Sequence, residues 1–232
     1  MQLFYLPNVT DTCYLDEVES RHCVKVLRLK QGDIIKLTDG KGFFYSAEIS
    51  DANPKKCQLT ITHKEEEQHK RNYFLHIAIA PTKNIDRFEW FLEKATEIGI
   101  DEITPIVSEN SERKQIKPER LEKIIVSAMK QSLKATVPLL NPLTSYTNFI
   151  KAEQSDQKYI AHCYDENKIE LFHTIQEKKR YVILIGPEGD FSLKEVESAI
   201  SNGFQPISLG NSRLRTETAG IVACHTFALR NS

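Results

Sequence analysis

The chain has 232 residues, 40% of them hydrophobic and 27% charged, with 31 basic residues against 32 acidic and a formal charge of −1. This is ordinary globular composition, long enough for one or two domains with a real core; it excludes wholesale disorder, a collagen-like chain and a strongly basic nucleic-acid binder. A local basic face is not excluded, because phosphate binding needs only a patch.

No stretch approaches the roughly 18 apolar residues of a membrane span, so no membrane association is expected. The opening residues 1–7 lack a basic start, and their apolar run is broken by Pro7, so they do not read as a secretory signal. The five cysteines (Cys13, Cys23, Cys57, Cys163, Cys224) are odd in number and scattered without a C-x-x-C. Neither a disulfide framework nor a zinc ribbon is indicated, and a reducing cytoplasm is the simplest expectation.

In chain order, strand signals come first. Residues 33–38 and 43–49 flank Asp39-Gly40-Lys41-Gly42, a hairpin turn, and residues 57–63 alternate as a half-buried strand. This predicts a small β-barrel over residues 1–71. The charged stretch 64–72 reads as a linker or solvated hairpin, alternatively as one exposed loop within a single domain.

Over residues 72–232 strands and helices alternate. Residues 74–80 form an apolar strand. Asp86-x-x-Glu89 resembles a capping signal for a helix that Gly99 closes. Residues 103–107 form a strand, and Pro118 opens a helix with the stripe Leu121, Ile124, Ile125, Ala128 and Leu133. Residues 159–164 and 181–185 are buried strands, and Ser192-x-x-Glu195 is a capping box for a helix closed by Gly203. A strand over 206–209 and a helix from about Thr216 to Arg230 complete an α/β domain with a largely parallel sheet.

Two segments stand out chemically. In the first, the strand ending at Leu184-Ile185 runs into Gly186-Pro187-Glu188-Gly189-Asp190 and then the capped helix. Glycines beyond the carboxyl end of such a strand permit close approach to a ligand, although a tight strand-to-helix turn explains them equally. The second is Leu209-Gly210 followed by Arg213-Leu214-Arg215-Thr216-Glu217-Thr218-Ala219. Thr216 or Thr218 as helix cap and Glu217 as dipole complement are the plain readings. Arginines at a helix N-terminus oppose the dipole, and such cations imply an anionic partner. There is no G-x-G-x-x-G, P-loop or G-x-S-x-G, and the histidines show no metal-ligand spacing, so no metal is expected. Residues 110–134 hold seven basic side chains against three acidic ones, and residues 21–30 hold Arg21, Lys25, Arg28 and Lys30. Both are candidate phosphate-contact surfaces or, more plainly, solvated helix faces.

Together these segments resemble the bacterial 16S ribosomal RNA (uracil-N3)-methyltransferases of the SPOUT class, over essentially the whole chain. The resemblance rests on His22-x-x-x-Val26-Leu27-Arg28 with Gly32-Asp33, and on Lys83 with Asp86-Arg87. It rests further on residues 93–100, Gln131-Ser132, Gly186-Pro187-Glu188-Gly189 and the segment from Leu209 to Ala219. Departures from the family pattern are Asp190 in place of a third glycine, Asn110 in place of arginine, Lys130 in place of a carboxylate, and Asn211-Ser212-Arg213.

The resemblance implies a C-terminal SPOUT trefoil-knot domain with a smaller N-terminal PUA-like β-barrel, an obligate homodimer, and bent S-adenosylmethionine held by the knot loops. The cofactor residues it implies are Leu184, Gly186, Pro187, Glu188, Gly189, Leu209, Gly210, Leu214, Arg215, Thr216, Thr218 and Ala219. The expected reaction is methyl transfer to N3 of a decoding-region uridine, on the assembled 30S subunit. Arg215 is expected as the catalytic cation, with Glu217 orienting it or taking the proton. His22, Lys25, Arg28, Lys83, Arg113 and Gln131 are expected at the RNA. The rival readings are a non-catalytic RNA-binding assembly protein and a SPOUT enzyme acting on another RNA.

Overall fold

The computed structural model describes residues 2–68, 71–164 and 167–231. His69 and Lys70, inside the expected linker, fall outside the described residues. The chain packs as two compact units, Met1–Lys70 with Val126–Val137, and Arg71–Ile125 with Pro138–Ser232.

The first unit contains β1 (Leu3–Tyr5), β2 (Thr12–Tyr14), α1 (Glu17–Arg21), a π-helical turn (His22–Val26), β3 (Ile34–Thr38), β4 (Phe43–Asp51) and β5 (Gln58–Glu66). Its described strands form one sheet in the order β1-β3-β4-β5-β2. The Asp39–Gly42 turn is the predicted hairpin. Gly40 and Gly42 take φ of 74° and 96°, where a Cβ is disfavoured. The Asp39 carboxylate accepts from Lys41 N at 2.8 Å and the Tyr45 hydroxyl at 3.0 Å. Alternation along β4 buries Tyr45, Ala47 and Ile49 against Phe4, Leu37, Cys57 and Leu59.

One expectation fails here. Residues 64–66 are not linker but the end of β5, paired with Phe43, Phe44 and Tyr45 of β4. The charges of Lys64 and Glu65 are compatible with a strand because both have surface roles. Lys64 Nζ lies 3.8 Å from the Phe43 ring centroid, and Glu65 pairs with Lys36 at 3.3 Å.

The second unit carries β6 (Phe74–Ile79), α2 (Ile85–Ile98), β7 (Glu102–Val107), β8 (Leu139–Leu140), β9 (Thr144–Ser145), α4 (Tyr146–Ala152) and β10 (Gln157–Ala161). β11 (Ile169–Glu170), α5 (Leu171–Thr174), β12 (Arg180–Ile185), α6 (Leu193–Ser201), β13 (Gln205–Ser208) and α7 (Thr216–Arg230) follow. Helix α3 (Pro118–Gln131) begins in this unit, and its last turns group with the first. The described strands pair in the order β11-β13-β10-β12-β6-β7-β8, with β9 also on β7, and every pairing is parallel. β12 is thus inserted between β10 and β6, so a late segment lies between two earlier ones, against the usual order of connections.

The sheet is buried on both faces, which is why its strands read as apolar runs. Ala78, Ile160, Val182 and Leu184 pack with Tyr146, Phe149 and Ile150 of α4 and with Val196 and Ala199 of α6. On the alternate face, Tyr181 meets Phe227 of α7. The capping box at Ser192 and Glu195 forms as predicted. Two local expectations are corrected. The cap of α2 is Asn84, which accepts from Asp86 N at 3.1 Å, so Asp86 lies in the first turn. Leu133 lies beyond α3 at φ 54° and is exposed, not part of the apolar stripe.

Candidate active site at the carboxyl ends of the sheet

The loops that follow β6, β7, β10, β12 and β13 leave the sheet at its carboxyl edge, where ligands sit in parallel α/β sheets. Within the second unit they are tied together by named bonds. Lys83 N donates to Glu188 Oε1 at 3.0 Å. Arg113 donates through Nε to Thr82 O at 2.9 Å and through Nη2 to Lys83 O at 2.6 Å. Asn110 Nδ2 donates to the carbonyls of Gly189 and Asp190 at 3.1 and 3.0 Å. Thr216 Oγ1 donates to Gly186 O at 2.9 Å, a buried bond joining the two glycine-bearing segments.

The glycines meet real constraints. A Cβ on Gly186 would lie 3.2 Å from Phe191 N, and one on Gly189 would lie 3.1 Å from Asn110 Cβ. Gly210 has φ 110° with open space around it. Pro187 is buried, while Glu188 and Gly189 are exposed. This is backbone laid open for a ligand, and it fits S-adenosylmethionine. The adenosyl and amino-acid parts of that cofactor need hydrogen-bonding backbone and close approach rather than a dedicated side-chain cage. Leu184 contributes no side chain there; it is fully buried in the core beneath the loops.

Beside the loops an open cleft of about 600 Å³ is lined by Asp86, Arg87 and Trp90 of α2 and by Arg213, Leu214, Arg215, Glu217 and Thr218. Arg215 is exposed and forms the N-cap position of α7 without a side-chain cap. Neither Thr216 nor Thr218 caps the helix, and Thr216 is used in the loop tie instead. Glu217 is buried, and its charged neighbour is Arg87 at 3.9 Å, not Arg215. Leu209, Leu214, Thr218 and Ala219 are half-buried.

The expected RNA residues are dispersed. In the first unit His22 opens the π-helical turn, half-buried near Phe4, while Lys25 is exposed, as is Arg28, held at φ 59°. Gln131 is exposed at the end of α3. In the second unit Lys83 is exposed and paired with Glu112 at 2.8 Å, which raises its pKa. Arg113 is committed to backbone carbonyls, so its first role is to brace the loop after β6.

Sequence reasoning missed three participants. Asn110 and Asp190 were noted only as departures, yet Asn110 bonds the Asp190 carbonyl. Asp190 occupies φ 61°, which explains why a glycine suits that position, and its carboxylate accepts from Cys163 N at 2.7 Å. Trp90 carried no signal beyond its place near the start of α2. Among the described residues no group of three potential metal ligands is found, and no helix is long and apolar enough to cross a membrane.

Comparison with known proteins agrees with this architecture. Residues 69–228 match the RNA methyltransferase domain family, and residues 15–62 match the RNA methyltransferase PUA domain family. The ribosomal RNA small subunit methyltransferase E of Rickettsia conorii is 32% identical over 208 residues, 87% of this chain and 83% of that protein. A probable rRNA-methyltransferase from Porphyromonas gingivalis superposes with a TM-score of 0.94 at 44% identity, covering 100% of this chain and 98% of that one. The ribosomal RNA small subunit methyltransferase E of Neisseria gonorrhoeae, solved with S-adenosyl methionine bound, gives a TM-score of 0.86 at 29% identity over 97% and 95%. With its parallel sheet, its inserted β12 and its glycine loops at one edge, the chain belongs to the ribosomal RNA small subunit methyltransferase E family, SPOUT-class RNA methyltransferases with a PUA-like N-terminal domain.

Proposed function

We propose that this protein transfers a methyl group from S-adenosylmethionine to N3 of one uridine in small-subunit ribosomal RNA, acting on the assembled subunit. The observation that carries the reading is the meeting, at one edge of the sheet, of the Gly186–Gly189 and Leu209–Thr216 loops with a cleft holding Arg215 and Glu217. The cofactor supplies a methyl activated by its sulfonium, so the protein's work is chiefly positioning. Backbone of the two loops holds the cofactor. The base must be unpaired, because N3 lies on its pairing edge. Arg215, which cannot accept a proton, stabilises charge developing on the uracil oxygens. Glu217, the buried carboxylate of the cleft, receives the N3 proton.

His22, Lys25 and Arg28 of the first unit, with Lys83 and Gln131, are the proposed RNA contacts. Replacing Arg28 with Ala is expected to weaken RNA binding and lower the salt slope by about one unit; an unchanged slope removes Arg28 from the interface. A homodimer is proposed as the working form. Trp90, 43% exposed on α2, and the half-buried Ile221 and Val222 of α7 support it, because they leave apolar surface on adjacent helices.

The reading is tested with labelled S-adenosylmethionine and small ribosomal subunits from cells lacking this protein, the product being mapped by reverse transcription. One new stop at a decoding-region uridine is expected. Label without that stop moves the target; no label and no cofactor binding by calorimetry overturns the reading.

A further inference from the structure

Glu217 stands in the first turn of α7, where the helix dipole favours its charge. Yet it is only 6% exposed, and its two oxygens are treated differently. Oε1 faces Arg87 Nε at 3.9 Å, whereas Oε2 is buried without a hydrogen-bond partner. An unsatisfied buried acceptor is destabilising, the more so when charged. Glu217 lies in the wall of the cleft with Trp90, Arg213 and Arg215. A flat aromatic surface, a carboxylate without a close hydrogen-bond donor and flanking guanidiniums complement a planar ring with a central N–H between two carbonyl oxygens. Uracil presents that edge. Cytosine presents a lone pair at N3 and would set it against the carboxylate.

We infer that Arg87 is a positioning residue for the reaction: it holds the Glu217 carboxylate at the cleft wall so that this carboxylate accepts the N3 proton of an unpaired uracil, and the pair selects uracil over cytosine. The inference rests on the function proposed above and adds to it the residue that orients the base and the origin of base selectivity. As the N3–H proton passes to the Glu217 carboxylate, the N3 electron pair forms the N–CH₃ bond. The S–CH₃ bond breaks with its electrons retained by sulfur, leaving S-adenosylhomocysteine and a protonated Glu217 that returns its proton to water.

The test compares wild type, Glu217→Gln, Arg87→Ala and Arg87→Lys on small subunits lacking the methyl mark, between about pH 6 and pH 10. S-adenosylhomocysteine affinity, read by calorimetry, reports an intact cofactor site independently of turnover. Glu217→Gln is expected to lower kcat about 10²- to 10⁴-fold, with KM and S-adenosylhomocysteine affinity unchanged. Its residual rate should climb with pH as hydroxide replaces the lost base. Arg87→Ala should lower kcat about tenfold at constant KM, and Arg87→Lys should recover most of it. Subunits with cytidine at the target should bind wild type more weakly than uridine subunits, and Glu217→Gln should narrow that gap. Wild-type kcat in Glu217→Gln, or a loss of turnover matched by lost S-adenosylhomocysteine affinity, overturns the inference while leaving the methyltransferase reading intact. A wild type that binds S-adenosylhomocysteine but methylates no subunit overturns both.

Discussion

Asn110 and Asp190 show how two positions that depart from the family pattern serve one loop. Asp190 accepts the left-handed conformation that a glycine would take more cheaply, and its carboxylate in return accepts a hydrogen bond from Cys163 N. Asn110 spans from the loop after β7 to the carbonyls of Gly189 and Asp190, directly where the cofactor backbone contacts are expected. Each such bond contributes about 0.5–1.5 kcal/mol. Asn110→Ala is therefore expected to weaken S-adenosylhomocysteine binding roughly tenfold by calorimetry, with little change in kcat at saturating cofactor. Equal affinity in the variant would mean that the Thr216 and Lys83 ties hold the loop alone. Arg215 is the opposite case, an exposed cation with no ion pair among the described residues. Arg215→Ala should lower turnover by about 10²–10³-fold and leave cofactor affinity nearly unaltered, and undiminished turnover would take it out of the mechanism.

Among the elements, α7 is set tight against α2 and β6 at Gly220, where an added Cβ would stand 2.5 Å from Phe91 Cε2 and 3.2 Å from Ile79 Cδ1. Both neighbours are fully buried, so neither can swing into solvent. Gly220→Ala is expected to cost about 1–3 kcal/mol by overpacking and to lower Tm by several degrees, roughly 2–4 °C per kcal/mol for a chain of this size. A Tm equal to wild type would show that the two helices slide apart freely. Gly220 lies inside a helix and gave no turn signal, which is why sequence reading passed over it. Elements with a long period or a cap were legible: α7 runs from Thr216 to Arg230 as expected, and α6 begins at its capping box. The two-residue strands β8, β9 and β11 were not, because two residues carry no periodicity. The end of β5 was hidden by its charges, since Lys64 and Glu65 are accommodated by the Phe43 ring of β4 and an ion pair with Lys36 of β3. In the site, the glycine loops could be read because backbone constraint is written locally as Gly. The bracing roles of Arg113 and Asn110 could not, because each bonds carbonyls 30 to 80 positions away in sequence.

At the scale of the whole molecule, no local pattern announces that β12 enters between β10 and β6; only the family resemblance carried that expectation. The same parallel arrangement places a second polar cluster away from the glycine loops, towards the amino ends of β6 and β7. There His76, 4% exposed, meets Thr104 Oγ1 at 2.7 Å and Glu153 Oε2 at 3.3 Å, with Glu102 at 3.9 Å. Asn141 Nδ2 donates to both Glu102 and Thr104. Burial by itself would raise the Glu153 carboxyl, but hydrogen bonds from His76 and from the backbone and hydroxyl of Ser155, with the charge of His76, outweigh it. They draw its pKa down to about 2. A carboxylate depressed in the folded state stabilises fully above its unfolded value near 4.3 and loses that contribution as pH falls towards about 2. Glu153→Gln should therefore reduce stability at neutral pH by about 2–3 kcal/mol, and the deficit should shrink between about pH 4.5 and pH 2, where wild-type Glu153 itself takes up a proton. Urea unfolding of both proteins at pH 7 and near pH 3 measures this directly. Because α4 ends beside Glu153 and packs on the core that supports β10 and β12, the acid loss should appear in the cooperative unfolding of the sheet and not as fraying of one helix. An equal deficit at both pH values would instead assign Glu153 a packing role with no electrostatic share in holding the sheet together.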